Sequence, residues 1–448
     1  MFTHRCARVR PGISPDYPDP GEYRCQDPTD EFDRPATTLQ EDTTGTAPAQ
    51  SLTRKGRGSC RSASHRLTAS VRGVTGTALS LIPDYSGGSL SNLMAELEVR
   101  LAGTSVNPGL YEPLADQIPQ AATYVLVLID GLGARQLDHP AAGPLAYSRR
   151  ATIDAPFPTT TTVSLATVAT ALPPSQHGLI GHFLLLHGHP RPVNGLRWVD
   201  TGGQAVPSYA PGVLPAPNLW ERLGRAGVES ITVQPAGFEG TPLTRALYRG
   251  CRFEAVTTTR EWFRATLDLA MVPGRLIFAY HPAVDIAAHM HGPQSPEYAR
   301  ALADVANAWE RMADRLPGHA TMIGTADHGV VPIPKSGKHL LHSYQTRGLT
   351  LFGDPRSLYV KGPRSLIEEL GTHLPGEWHP RSVLRKLWGP EPADGNRRTA
   401  LPVLQPDGAW LAHEGRALLP GHMDRRLVGY HGGLDPRELE IPLLVASR

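Results

Sequence analysis

"TYVLVLID", residues 123–130, is a short continuous apolar run closed by a carboxylate. A strand with no polar alternate residue is covered on both faces, which is how the central strands of a parallel sheet read. Outward from it, "NLWERLGRAGVESITVQP" (218–235) reads as a helix stopped near Gly227 and followed by a strand. "GRLIFAY" (274–280) and "HATMIGTAD" (319–327) read as further strands, and "LEIPLLVAS" (439–447) closes the chain. Between two of them Ser295 is placed as an N-cap and Pro296 at the first helical position. Tyr298, Leu302, Val305, Trp309, Met312 and Leu316 then follow at helical spacing. Strands alternating with amphipathic helices predict an α/β fold, a three-layer α/β/α sandwich around a central, mostly parallel sheet.

The chain has 448 residues, 40% of them hydrophobic, enough to bury a full core. Its 44 basic and 42 acidic residues nearly balance, which gives no global reason to expect nucleic acid or a membrane surface as partner. No apolar run reaches the roughly 18 residues of a membrane span, and "MFTHRCARVRPGISPDYPDP" at the start lacks the apolar core of a secretory signal. Cys6, Cys25 and Cys60 lie in the first sixty residues and Cys251 stands alone later, in keeping with a reducing compartment. The expected location is the cytoplasm. Residues 1–73, rich in Pro, Ser, Thr, Asp and Arg, are expected to be disordered, and the catalytic domain is expected over 74–448. The basic run Arg54 to Arg66 reads as a solvated face or as a partner-binding tail. Stretches of about 182–217 and 330–429, rich in Gly, Pro, Trp and His, are expected as loop or cap insertions on the sheet.

Chemistry gathers at the strand ends. Asp130 ends the first strand; Asp327 and His328 follow another; Asp285 and His289 follow a third; His431 precedes the last. In open α/β sheets the carboxyl ends of strands share one rim, so residues distant in sequence converge there. Taken singly, each is ambiguous: an Asp after a strand is often a turn or cap residue. Asp285 and His289, four apart, suit two ligands of one ion or a plain ion pair, and His431 suits a packed loop. Three Asp and three His at successive strand ends suggest a metal centre.

"FPTTTTVSLATVATALPPSQHG" (157–178) places four threonines before an apolar helical pattern. Thr161 or a neighbour then sits at a helix N-terminus, where free N–H groups and partial positive charge favour an alkoxide or phosphoryl group. Simple N-capping is the competing explanation for the run. A threonine hydroxyl needs a base or metal to act as a nucleophile, so the set points to metal-assisted phosphoryl transfer.

These pieces resemble the alkaline phosphatase superfamily, in its nucleotide pyrophosphatase/phosphodiesterase branch. The matching segments are "VLVLIDGLGARQL", "FPTTTTVSLATVATALPPSQHGLIGH", "YHPAVDIAAHMHGPQSPEY", "TADHGVVPI" and "GYHGGLDPRELEIPLL", in the family's order from about Tyr124 to the C-terminus. The resemblance implies Thr161 as nucleophile, sixteen residues before His177 of an "HG" pair. It implies two divalent ions, taken as Zn²⁺, one held by Asp285, His289 and His431 and the other by Asp130, Asp327 and His328 with Thr161. The implied reaction is hydrolysis of a phosphate diester or phosphoanhydride through a phosphothreonine intermediate, on a small phosphorylated substrate such as a nucleotide.

This chain departs from the family where Thr161-Thr162-Val163-Ser164 replaces Thr-Phe-Pro-Asn. Ser164 is expected to stand in for the asparagine that donates to a phosphoryl oxygen, unless the backbone N–H groups of the helix start do so. Phe183, Trp198, Tyr209, Trp220 and Phe238 are candidates to stack on a leaving group, packing being the alternative for each. The serine nucleophile and clamping arginine of the monoesterases have no counterpart at matching positions, which favours diesters. Monoester or phosphonate hydrolysis on the same scaffold is the alternative, and a non-catalytic binding protein is a third reading.

Overall fold

The computed structural model describes residues 81–207, 212–391 and 403–448. The expected disordered extension 1–73 lies outside them, as does Tyr209.

The seven strands of the main sheet are numbered here in chain order: β1 (Thr123–Ile129), β2 (Arg149–Asp154), β3 (Glu229–Pro235), β4 (Arg252–Val256), β5 (Arg275–His281), β6 (Ala320–Thr325) and β7 (Glu440–Ser447). Their order is β2-β7-β6-β1-β5-β3-β4. β1 pairs in parallel with β5 and β6, and β3 pairs in parallel with β5 and β4. Only β7, antiparallel to both β6 and β2, runs against the rest. Every residue of β1 is buried, as a strand with helices over both faces requires. The predicted α/β sandwich with a mostly parallel sheet is the fold observed.

Three helices matter for the site: α1 (Thr161–Thr170), α2 (Ala283–His291) and α3 (Pro296–Ala313). In α3 the Ser295 side chain accepts from the Tyr298 N–H, and Tyr298, Leu302, Val305, Trp309 and Met312 are buried, as their spacing requires. The Trp309 indole donates to Ser148 Oγ at 2.8 Å. A Cβ at Gly324 in β6 would come within 2.7 Å of the Trp309 ring, so the strand is bare where the helix lies closest. Removing a ring packed in this way costs about 3–5 kcal/mol.

The two stretches expected as insertions contribute to one second sheet. Short strands Phe183–Leu184, Val193–Asn194 and Val199–Asp200 join Thr350–Gly353, Ser357–Lys361, Gly376–Pro380 and Gly408–Ala412 in a seven-stranded antiparallel array. The joint is a single pairing of Gly353 with Phe183. The turn after Gly353 is tied to the main sheet through Arg356, which donates to Glu438 Oε2 from Nε (3.1 Å) and Nη2 (2.8 Å), just before β7. Both partners are buried, so losing either would strand a charge. Among the described residues, no helix is long and apolar enough to cross a membrane.

Candidate active site

Sheet direction decides where the functional side chains meet. Asp130 directly follows β1, and Asp327 and His328 lie just past β6. The register Leu128↔Thr325 sets Asp130 level with Asp327 across the pair. α2 starts two residues after β5 and carries Asp285 and His289 on adjacent turns. Thr161 comes seven residues after β2. Because β7 is antiparallel, the segment leading into it, with His431, reaches the same rim. All seven residues are buried or nearly so, except that His431 is partly open.

Three histidines are fixed in the same tautomer. The Nδ1 of His289 donates to the Gly429 carbonyl (2.8 Å), that of His431 to the Thr159 carbonyl (2.8 Å) and that of His328 to the Gly329 carbonyl (3.1 Å). Each Nε2 therefore faces the site, that of His289 toward Asp285 and that of His328 toward Thr161. His289 Nε2 lies 3.1 Å from His431 Nε2 and 3.2 Å from Asp285 Oδ2. His328 Nε2 lies 3.2 Å from Asp327 Oδ2 and 3.7 Å from Asp130 Oδ1. Among the described residues, Asp130 Oδ1 and Asp327 Oδ2 are buried with no hydrogen-bond partner.

Such a cluster of bare acceptors fits cations. Potential ligand atoms of Asp285, His289 and His431 lie within 4.8 Å of one another, and so do those of Asp130, Asp285 and His328. Asp285 thus lies between the two groups. Burial pushes Asp327 up to about 6 and, with the Asp327 and Asp285 charges beside it, raises Asp130 well above the carboxylate range. Burial holds His328 down at about 4 and His431 well below its ordinary value, so both rings are neutral. Against its own burial, Asp285 is held below the usual carboxylate range chiefly by His289 beside it. Neutral imidazoles and carboxylates at these spacings are the donor set of a divalent transition-metal site.

Supporting residues that the sequence reading did not single out surround this set. The buried Tyr280 hydroxyl donates to Asp130 Oδ2, and burial and the Asp130 charge keep its phenol protonated. Gly131 (φ +74°) donates its N–H to Asp327 Oδ1 at 3.0 Å, and a Cβ there would meet Asp285 at 2.8 Å. Tyr280 reads in sequence as one more apolar strand residue, and nothing local marks its hydroxyl.

The four threonines separate into four contacts. Thr159 Oγ1 donates to the Gly433 carbonyl (2.9 Å) and accepts from the Gly432 N–H (3.1 Å), flanking His431. Thr160 is the N-cap of α1 without a side-chain capping bond, its carbonyl accepting from Val163 and Ser164. Thr161 Oγ1 lies 3.2 Å from His328 Nε2, and Thr162 Oγ1 donates to the Gly181 carbonyl at 3.1 Å. Side-chain N-capping therefore does not account for the run. His177 Nε2 lies 3.1 Å from Thr167 Oγ1, bracing the helix behind Thr161.

Ser164 is placed differently from the expectation. It is fully buried, and its hydroxyl donates to the Asp327 carbonyl at 2.7 Å, on the strand side of α1. Trp198 and Trp220 are fully buried and cannot stack on a ligand. Of the described aromatic candidates, Phe183 lines the cleft beside Thr161, together with His182, Asp354, Met423 and Tyr430.

The profile of the family described as type I phosphodiesterase / nucleotide pyrophosphatase matches residues 124–364, more than half of the chain. The chain belongs to this family. It is a phosphoric ester hydrolase, and metal dependence is typical of such family members. Among solved structures, murine ectonucleotide pyrophosphatase/phosphodiesterase 5 superposes with a TM-score of 0.55 at 17% identity, over 72% of this chain and 88% of that one. An inactive variant of that murine protein has been solved in complex with AMP. Phosphonoacetate hydrolase from Sinorhizobium meliloti 1021, in complex with phosphonoacetate, superposes with a TM-score of 0.54 at 19% identity, over 74% of this chain and 91% of that one. At these identities the likeness is one of fold. No curated protein sequence matches the chain. The family's phosphodiesterase scaffold thus carries, in this member, seven convergent residues at one rim of its sheet.

Proposed function

We propose that this phosphodiesterase-family enzyme hydrolyses a small phosphate diester or phosphoanhydride, such as a nucleotide, through a phosphothreonine at Thr161 on a two-zinc centre. Asp285, His289 and His431 would hold one ion, and Asp130, Asp327, His328 and Thr161 the other. The observation that carries this reading is the convergence of three histidine Nε2 atoms and buried carboxylates on one spot, with the Thr161 hydroxyl 3.2 Å from His328 Nε2. Divalent ions there supply positive charge for phosphoryl oxygens and lower the pKa of a bound hydroxyl or water.

The chain's own residues do the rest. Thr161 is at the first position of α1, and its own N–H and that of Thr162, which have no carbonyl partner within the helix, would donate to phosphorus-bound oxygens. Formation of the Oγ–P bond expels the leaving alkoxide or phosphate, and water then breaks the Oγ–P bond and restores the threonine. Ser164 would act by holding Asp327 in place. Among the residues lining the cleft beside Thr161 there is no arginine or lysine, which supports a substrate with one phosphoryl charge to neutralise, a diester, over a monoester. Residence in the cytoplasm, argued from the cysteine usage, is part of the same proposal.

The test is hydrolysis of bis-p-nitrophenyl phosphate against p-nitrophenyl phosphate by the zinc-reconstituted full chain, with a chelated control. Faster diester turnover that is lost on chelation supports the reading. Preference for the monoester, or for a phosphonate added as a third substrate, overturns the diester assignment. No turnover of any of them by zinc-loaded, folded protein overturns the catalytic one.

A further inference from the structure

The open space beside Thr161 is about 50 Å³, bounded by Thr160, Thr161, His289, His431, Asp354 and Phe183 among others. Sites for small ligands run to roughly 300–1,000 Å³, so this cleft takes the reacting group and little more. Three of its lining residues, Phe183, Met423 and Asp424, also wall a neighbouring groove of about 700 Å³. That groove is where the remainder of a substrate has room.

Its charged residues are unequally committed. Asp200 accepts from the Gly202 and Gln204 N–H groups (2.8 and 2.9 Å) and lies 3.1 Å from His189. Asp424 is forked by Arg426 at 3.1 and 2.8 Å. Arg197 and Arg425 also line the groove; both are exposed, and neither guanidinium has a hydrogen bond or ion pair to another described residue. His422, which also lines the groove, packs edge-on to Phe183 (4.7 Å between ring centres), with its Nε2 buried and without a hydrogen bond among the described residues. Two exposed guanidinium forks lining a groove that shares Phe183, Met423 and Asp424 with the cleft suit the tetrahedral dianion of a phosphate monoester, which such forks can bind bidentately.

We propose that the groove binds a second, non-reacting phosphate of the substrate: Arg197 and Arg425 hold a terminal phosphate monoester while the diester or anhydride phosphorus sits at Thr161. This rests on the function proposed above and narrows its substrate class to molecules carrying both an internal diester or anhydride and a distal phosphate.

The experiment has a kinetic arm and a binding arm, both on the metal-loaded full chain at fixed ionic strength. Coenzyme A and dephospho-coenzyme A share one scissile anhydride and differ by one distal phosphate, and kcat/KM is expected to favour the former by about 10- to 100-fold. Arg197→Ala combined with Arg425→Ala should abolish that preference, lowering kcat/KM for coenzyme A to the level of dephospho-coenzyme A. In the binding arm, Thr161→Ala protein should bind adenosine 3′,5′-bisphosphate at least about 10-fold tighter than AMP, and the two arginine substitutions should remove the difference. Equal affinities, or a difference that survives the substitutions, overturn the inference even if diesters are hydrolysed. Arginine-dependent binding without turnover of bis-p-nitrophenyl phosphate would instead uphold the groove and overturn the catalytic reading.

Discussion

Ser164 gives its hydroxyl proton to the backbone carbonyl of Asp327, 2.7 Å away, so helix α1 and the end of strand β6 are joined directly behind Thr161. A side chain spent on this bond braces a carboxylate of the site. Ser164→Ala leaves that carbonyl without its partner, at a cost of about 1–3 kcal/mol. The variant should melt at a lower temperature and need more metal for half-maximal activity, with kcat at saturating metal within about tenfold of the parent. A donor to the reacting phosphoryl group would lose about 10²–10³ in kcat with no change in metal requirement, and that outcome would reassign Ser164.

Thr161→Ala should remove at least about 10³-fold of the diesterase activity. Two ions per chain should still be retained, because His289, His328 and His431 keep their backbone-fixed tautomers. Thr161→Ser should keep part of the rate. Metal counting by plasma emission beside the kinetics checks both, and an active alanine variant would exclude Thr161 as nucleophile.

Tyr280 acts through Asp130. Tyr280→Phe takes the only donor to Asp130 Oδ2 seen among the described residues and should weaken binding of one ion by about 10- to 100-fold, with the other little changed. A competition titration with a chelating dye would resolve the two, and unchanged affinities would show that the phenol is mere packing.

A pH effect is also expected at the edge of the main sheet. Asp154, at the end of β2, is pushed up to about 6, by burial first and then by the charges of Asp84 and Glu440. Its folded pKa lies above its unfolded one, so the fold binds the extra proton between about pH 4 and pH 6, and stability from this group is lost as pH rises through that window. Asp154→Asn lacks the loss, so its stability relative to the parent should rise by about 1–2 kcal/mol from pH 4.5 to pH 7, allowing for partial exposure. Urea unfolding at the two pH values reads the difference; a constant gap would contradict it.

Much of this was legible in the sequence because strand ends are marked by composition. "TYVLVLID" and "HATMIGTAD" are apolar runs that stop at carboxylates, and their parallel pairing follows from the alternation with helices. His431 was legible only as a residue before the last strand; that strand's reversed direction, which brings it to the rim, is a tertiary fact. The second sheet was not legible, since strands of two residues, such as Phe183–Leu184, show no period, and the one pairing that joins them to the rest, Phe183 with Gly353, spans 170 residues. The bond from Ser164 to the Asp327 carbonyl was not legible, because sequence spacing gives the helix turn and not what lies against it. Tyr280 and the arginines of the groove carry no local pattern at all.

The central claim is that Thr161 becomes covalently bonded to phosphorus, and the stereochemical course of hydrolysis tests it most directly. A diester made chiral at phosphorus with sulfur should be hydrolysed in ¹⁸O-water with net retention, since two in-line displacements each invert the centre. Net inversion would mean that water attacks the substrate directly, and the threonine would then be no nucleophile.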